Sequence, residues 1–110
     1  GCTTRLAFPG LRAEPHALPV DHPLVTAVVE AHSAAHATTP RVLHTSSTSD
    51  ARFYVNQAKV PAVCYGPVVS AIHGVDEAVD LSSIVAGAKT YARLIPALLA
   101  GLRPRPRSSA

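Results

Sequence analysis

At 110 residues, 47% of them hydrophobic and 15% charged, the chain is about one domain long and long enough to bury roughly two-thirds of its unfolded surface if it closes on a core. No apolar run approaches the roughly 18 residues of a membrane span, and no signal-type stretch opens the chain, so neither a membrane partner nor secretion is expected and the protein reads as cytoplasmic. The formal charge of +3 resides in Arg103, Arg105 and Arg107. Setting those three of ten basic residues aside leaves seven against seven acids, and with only five aromatics, none in a basic cluster, a nucleic-acid surface is not expected either.

Residues 1–20 alternate apolar positions (Leu6, Phe8) with Pro9, Gly10, Pro15 and Pro19, the pattern of an edge strand running out into a linker. Asp21-His22-Pro23 reads as a helix start, with Asp21 or His22 as cap and proline in the first turn, where its missing N–H costs nothing. Leu24, Val25, Val28, Val29, Ala31 and Ala35 follow at helical spacing to about Ala37, and Thr38-Thr39-Pro40 stops the helix. Residues 41–44 are a short strand candidate.

A polar run over 45–50 then turns the chain into a short helix at 51–58, capped by Ser49 or Asp50, which gathers hydroxyls and backbone N–H groups suited to an anionic group. The apolar run 60–65 has the composition of a strand buried on both faces, with Cys64 as a reduced core thiol; two cysteines, Cys2 and Cys64, are too few for a disulfide framework. Asp80 caps a last helix carrying Leu81, Ile84, Val85, Ala88, Tyr91, Leu94, Ile95, Leu98 and Leu99, with a kink or early end near Pro96. The composition of 101–110 is that of a disordered tail. This order of elements indicates an α/β layer with partly parallel strands. Two strands fall short of the four to six of an ordinary sheet, and a chain that opens at Gly1 and contains no methionine reads as a piece of a longer protein.

The residue with the most chemistry around it is His73. A glycine follows it, and Asp76 and Glu77 come close behind, so an imidazole with a flexible backbone and nearby carboxylates can ligate a metal, the acids orienting it from behind. A loop histidine hydrogen-bonded to Asp76 or Glu77 is the plainer reading of the same spacing. His32 and His36 stand four apart, as in the HExxH zinc helix, but Ser33, Ala34 and Ala35 between them include no glutamate base, and a solvated helix face is expected. A Cys64–His73 nucleophile pair is disfavoured by the expected burial of Cys64.

At SSTSDARFY, then PAVCYGP, then IHGVDEAVDL, the chain resembles the zinc amidohydrolase and peptidase family that includes succinyl-diaminopimelate desuccinylase, acetylornithine deacetylase and the aminoacylases, from about Leu6 to Leu99. The resemblance implies a mixed-sheet α/β catalytic domain interrupted by a lid and dimerisation domain. Residues 1–17 would end the lid and form the return linker, 18–100 would be the C-terminal part of the catalytic domain, and the N-terminal half would be a missing partner. It implies two zinc ions, with cobalt as a possible substitute, and His73 as a terminal zinc ligand. Thr48, with Ser47 and Ser49, matches the turn that contacts the substrate carboxylate, although Ser46 and Ser47 stand where the family often has glycine. It also implies a homodimer through the lid and hydrolysis of N-acyl amino acids or small peptides, with no catalytic base within these residues. The rival readings are a non-catalytic scaffold half and, more remotely, an acidic partner held by the arginine tail.

Overall fold

The computed structural model of the protein describes residues 1–101. In chain order it contains α1 (Pro23–His36), α2 (Ala51–Asn56), β1 (Val69–Ser70), β2 (Ala78–Val79) and α3 (Leu81–Gly101). Of the two expected caps of α1, His22 serves: its Nδ1 accepts the Leu24 N–H at 3.1 Å while Pro23 occupies the first turn. Ala37 closes the helix in the left-handed region (φ 52°), its N–H donating to the Ser33 carbonyl at 3.0 Å.

Asp80 caps α3 as expected. Its Oδ1 accepts the Ser82 hydroxyl at 2.6 Å and the Ser82 and Ser83 backbone N–H groups at 2.7 and 3.2 Å. These bonds favour the charged carboxylate and hold its pKa below the ordinary aspartate value, the Ser82 hydroxyl contributing most. Pro96 does not end α3, which runs on to Gly101. Pro96 and Ala92, whose carbonyl loses its helical partner, are both exposed, so that carbonyl is open to solvent. The tail expected over 101–110 lies, beyond Gly101, outside the described residues.

The core forms where α1 crosses α3. Val28, Ala31 and Leu94 are buried there, with Ala27, Val63, Tyr65 and Leu98 packed around them. On α3 the buried stripe is Gly87, Thr90 and Leu94, whereas the apolar residues Leu81, Ile84, Val85, Tyr91, Ile95 and Leu99 are exposed. A radius of gyration of 19.2 Å, against about 13 Å for a compact chain of this length, reflects the same small core.

None of the expected strands forms, and the edge strand expected around Leu6 and Phe8 is irregular as well. Residues 41–44 and 60–65 are irregular, because a strand exists only as a member of a ladder and neither segment finds one among the described residues. In place of parallel pairing, β1 and β2 make a two-stranded antiparallel sheet with Val69 opposite Val79 and Ser70 opposite Ala78. Helices with a short sheet are compatible with the α/β class; the parallel arrangement does not occur among the described residues.

His32 and His36 do not lie on a solvated face. Both are half-buried in a hydrogen-bonded cluster that ties α1 to α3. Thr90, fully buried, donates its hydroxyl to the Ala86 carbonyl at 3.2 Å. Its oxygen is therefore left to accept from Tyr65 Oη at 3.0 Å and from His36 Nε2 at 2.9 Å. Tyr65 Oη then accepts from His32 Nδ1 at 2.8 Å, and His32 Nε2 accepts from the Thr38 hydroxyl at 3.1 Å. The two imidazoles meet edge-to-face with centroids 4.7 Å apart.

Desolvation, and secondarily the neighbouring His36, lower the pKa of His32 below its ordinary value of 6.5. The unfolded chain therefore takes up this proton more readily than the folded one. Stability is complete above about pH 6.5 and falls as pH drops below it. Thermal melts at pH 7.5 and 5 should show a lower midpoint in acid, and His32→Asn should flatten that dependence. An equal or greater pH dependence in the variant would assign it elsewhere.

Candidate functional site

The seven-residue connection between β1 and β2 carries His73, Asp76 and Glu77. Ala71, His73 and Asp76 all lie in the left-handed region (φ 51°, 60° and 61°), a conformation costing a non-glycine residue about 1–2 kcal/mol. The Gly74 N–H donates to the Ala71 carbonyl at 2.7 Å. A Cβ at Gly74 would meet that same oxygen at 3.0 Å, so the close approach that shapes the turn disfavours a larger residue there. The paired β1–β2 ends and this turn present His73 at the surface. Its ring has no hydrogen-bond partner among the described residues, so Asp76 and Glu77, also exposed, do not hold it in the way either sequence reading anticipated.

The second candidate region is the polar turn before α2. Asp50 occupies the cap position but its side chain makes no capping bond. The turn is held instead by Thr45 Oγ1 and Ser47 Oγ, 2.9 Å apart, and by backbone bonds from Arg52 N to the Ser49 carbonyl (3.4 Å) and from Phe53 N to the Asp50 carbonyl (2.9 Å). Ser47, Thr48 and Ser49 line an open cleft of about 550 Å³ whose other walls include Val25, Val28, Arg41, Arg52 and Cys64.

Cys64 is exposed, contrary to the expectation of a buried core thiol. The run 60–65 lacks the flanking strands that would cover it. The thiol donates to Ser49 Oγ at 3.6 Å and not to His73. His73 does not line the cleft, so the structure brings Ser47, Thr48 and Ser49 together and leaves the histidine loop apart from them. Among the described residues no three His, Cys, Asp or Glu side chains converge on a common point.

Two features escaped the sequence reading. Arg52 and Arg41 supply positive charge to the cleft; the SDAR run held Arg52 in plain view, but only its hydroxyl neighbours were weighed. The cluster of His32, Tyr65, Thr90 and His36 was legible in part, since His32 and His36 continue the stripe begun by Val25 and Val28 at spacings of four. No helix of the described residues is long and apolar enough to cross a membrane. No solved structure matches the chain significantly. The sequence model of Peptidase family M20/M25/M40, however, matches residues 5–97, spanning the cleft, the β1–β2 loop and nearly all of α3, and the chain therefore belongs to this family of peptidase-type hydrolases.

Proposed function

We propose that the chain is the C-terminal part of a dinuclear zinc hydrolase that cleaves amide bonds of N-acyl amino acids or small peptides, in the manner of the desuccinylases, deacetylases and aminoacylases. The observation that carries this reading is the family match over residues 5–97, since the family is generally metal-dependent. The described residues do not form a metal site by themselves: they offer one exposed histidine in the β1–β2 loop and no converging third ligand, whereas a catalytic zinc takes about three protein ligands.

In this reading His73 is one ligand of a centre completed by an N-terminal half of the catalytic domain, which also supplies the general base. Asp76 and Glu77, which make no bond to the His73 ring among the described residues, would orient it once the centre is assembled. Ser47, Thr48 and Ser49 receive the substrate carboxylate. Residues 1–17 return from a lid through which the protein forms a homodimer in the cytoplasm, and 18–100 complete the catalytic domain. The unpaired segments at 41–44 and 60–65 accord with a chain that packs against further structure.

The test is metal removal from the full-length protein. Dialysis against a chelator should abolish hydrolysis of N-acyl amino acids, and zinc or cobalt should restore it. Undiminished turnover by metal-free protein would refute the metal-dependent reading.

A further inference from the structure

The β1–β2 ladder pairs only Val69 with Val79 and Ser70 with Ala78, yet the connection it closes holds Ala71, His73 and Asp76 in the left-handed region. Such strain persists only where the surroundings fix the chain, and so short a hairpin is too weak to do so by itself. The next pair outward sets Val68 opposite Asp80. At a hydrogen-bonded position of an antiparallel ladder, facing residues exchange both N–H to carbonyl bonds. Here the Asp80 N–H donates to the Val68 carbonyl at 3.0 Å, but the return bond does not run directly. The Val68 N–H donates instead to Ser83 Oγ at 2.8 Å, and the Ser83 hydroxyl donates to the Asp80 carbonyl at 2.6 Å. A half-buried side chain from the first turn of α3 thus completes the third pair.

The helix that supplies this hydroxyl is itself well anchored. Farther along α3, Thr90 bonds Tyr65 Oη at 3.0 Å, and the Tyr91 hydroxyl donates to the Tyr65 carbonyl at 2.7 Å. The segment that enters β1 is therefore pinned to α3 twice, at Tyr65 and at Val68, before it reaches His73. We propose that Ser83 is a positioning residue that locks the His73 loop to α3 by relaying the last ladder bond from Val68 to Asp80. That the loop thereby holds a zinc ligand in place rests on the peptidase reading; the relay itself does not. Ser82 supplies the natural comparison. Its N–H and its hydroxyl both bond Asp80 Oδ1, at 2.7 and 2.6 Å, so it serves the cap of α3 without touching Val68.

The test is hydrogen exchange in the metal-free full-length protein, read by mass spectrometry on peptides that cover the β1–β2 loop. Ser83→Ala should speed exchange there by on the order of tenfold, the loss of about one hydrogen bond. Ser83→Thr, whose hydroxyl reaches the same carbonyl three residues back, should stay near the wild type. Ser82→Ala, which weakens the cap alone, should leave the loop unchanged. Unaltered loop exchange in Ser83→Ala would overturn the proposal, and so would an equal acceleration in Ser82→Ala. If Ser83→Ala does not fold by circular dichroism, Ser83→Thr against Ser83→Val, a pair of nearly equal shape that differs in the hydroxyl, decides in its place. Zinc affinity of the same variants, measured by competition with a chromogenic chelator, separates Ser83 from the peptidase reading. Binding weakened by on the order of tenfold in Ser83→Ala and restored in Ser83→Thr supports both. Faster loop exchange with unaltered zinc affinity supports Ser83 as the anchor of the loop and counts against His73 as a ligand.

Discussion

His73→Ala in the full-length protein should lower turnover by orders of magnitude and remove about one metal equivalent, while the melting temperature of the metal-free protein barely moves. The structural half of this expectation follows from the loop: His73 is exposed and makes no hydrogen bond among the described residues, so truncation deletes no packing. The functional half follows from the proposed role. Removing a protein ligand opens the coordination sphere and misplaces the ion that polarises the scissile carbonyl, a loss felt chiefly in the transition state. His32→Ala and His36→Ala are the internal comparison. Both should lower the melting temperature, because they break the cluster on Thr90, and both should retain metal. Metal content, turnover and melting temperature measured on the three variants separate the roles. If His73→Ala keeps its metal and rate while His32→Ala loses both, the assignment of the β1–β2 loop is wrong.

The candidate site was legible where its signal is local. Gly74 after His73, and the hydroxyls before a helix, are patterns of neighbouring residues, and the structure places both in turns, one shaped by the Gly74–Ala71 contact. Distances between segments were not legible. Nothing in a linear spacing tells that Ser49 meets Cys64, that Arg52 faces the same cleft, or that His73 stands outside it. The SDAR run shows how a local reading narrows attention. Its serine and aspartate suit a helix cap, and only the structure, through a buried and unpartnered Nη1, marks its arginine.

The fold divides along the same line. All three helices were foreseen because helical hydrogen bonds are local and His22, Pro23 and Asp80 are strong boundary signals. Strand positions failed because a ladder needs a second strand. The run 60–65 has the composition of one and finds no partner among the described residues, whereas Val69–Ser70 and Ala78–Val79 pair because the intervening turn brings their ends together. The facing of α3 was not legible in the sequence for a related reason. Its apolar residues surround most of the helix, and only the approach of α1 selects Gly87, Thr90 and Leu94 as the buried stripe.

Leu94→Ala tests whether that crossing is the core. Leu94 is 6% exposed and packs with Val28 and Ala31 at the crossing, so its truncation opens a cavity in the buried cluster. Truncating a buried leucine costs about 2–5 kcal/mol. That is a large fraction of the roughly 5–15 kcal/mol of an ordinary domain and a larger one for a core this small. Ile95, the next residue on the same helix, is 53% exposed, and Ile95→Ala should stay within about 0.5 kcal/mol of the parent. Urea denaturation of the two variants beside the parent should therefore show a much lower midpoint for Leu94→Ala, with a similar slope, and almost none of that shift for Ile95→Ala. If Ile95→Ala proves as costly as Leu94→Ala, the outer face of α3 is itself buried in the working protein, and the α1–α3 crossing is only one side of a larger core.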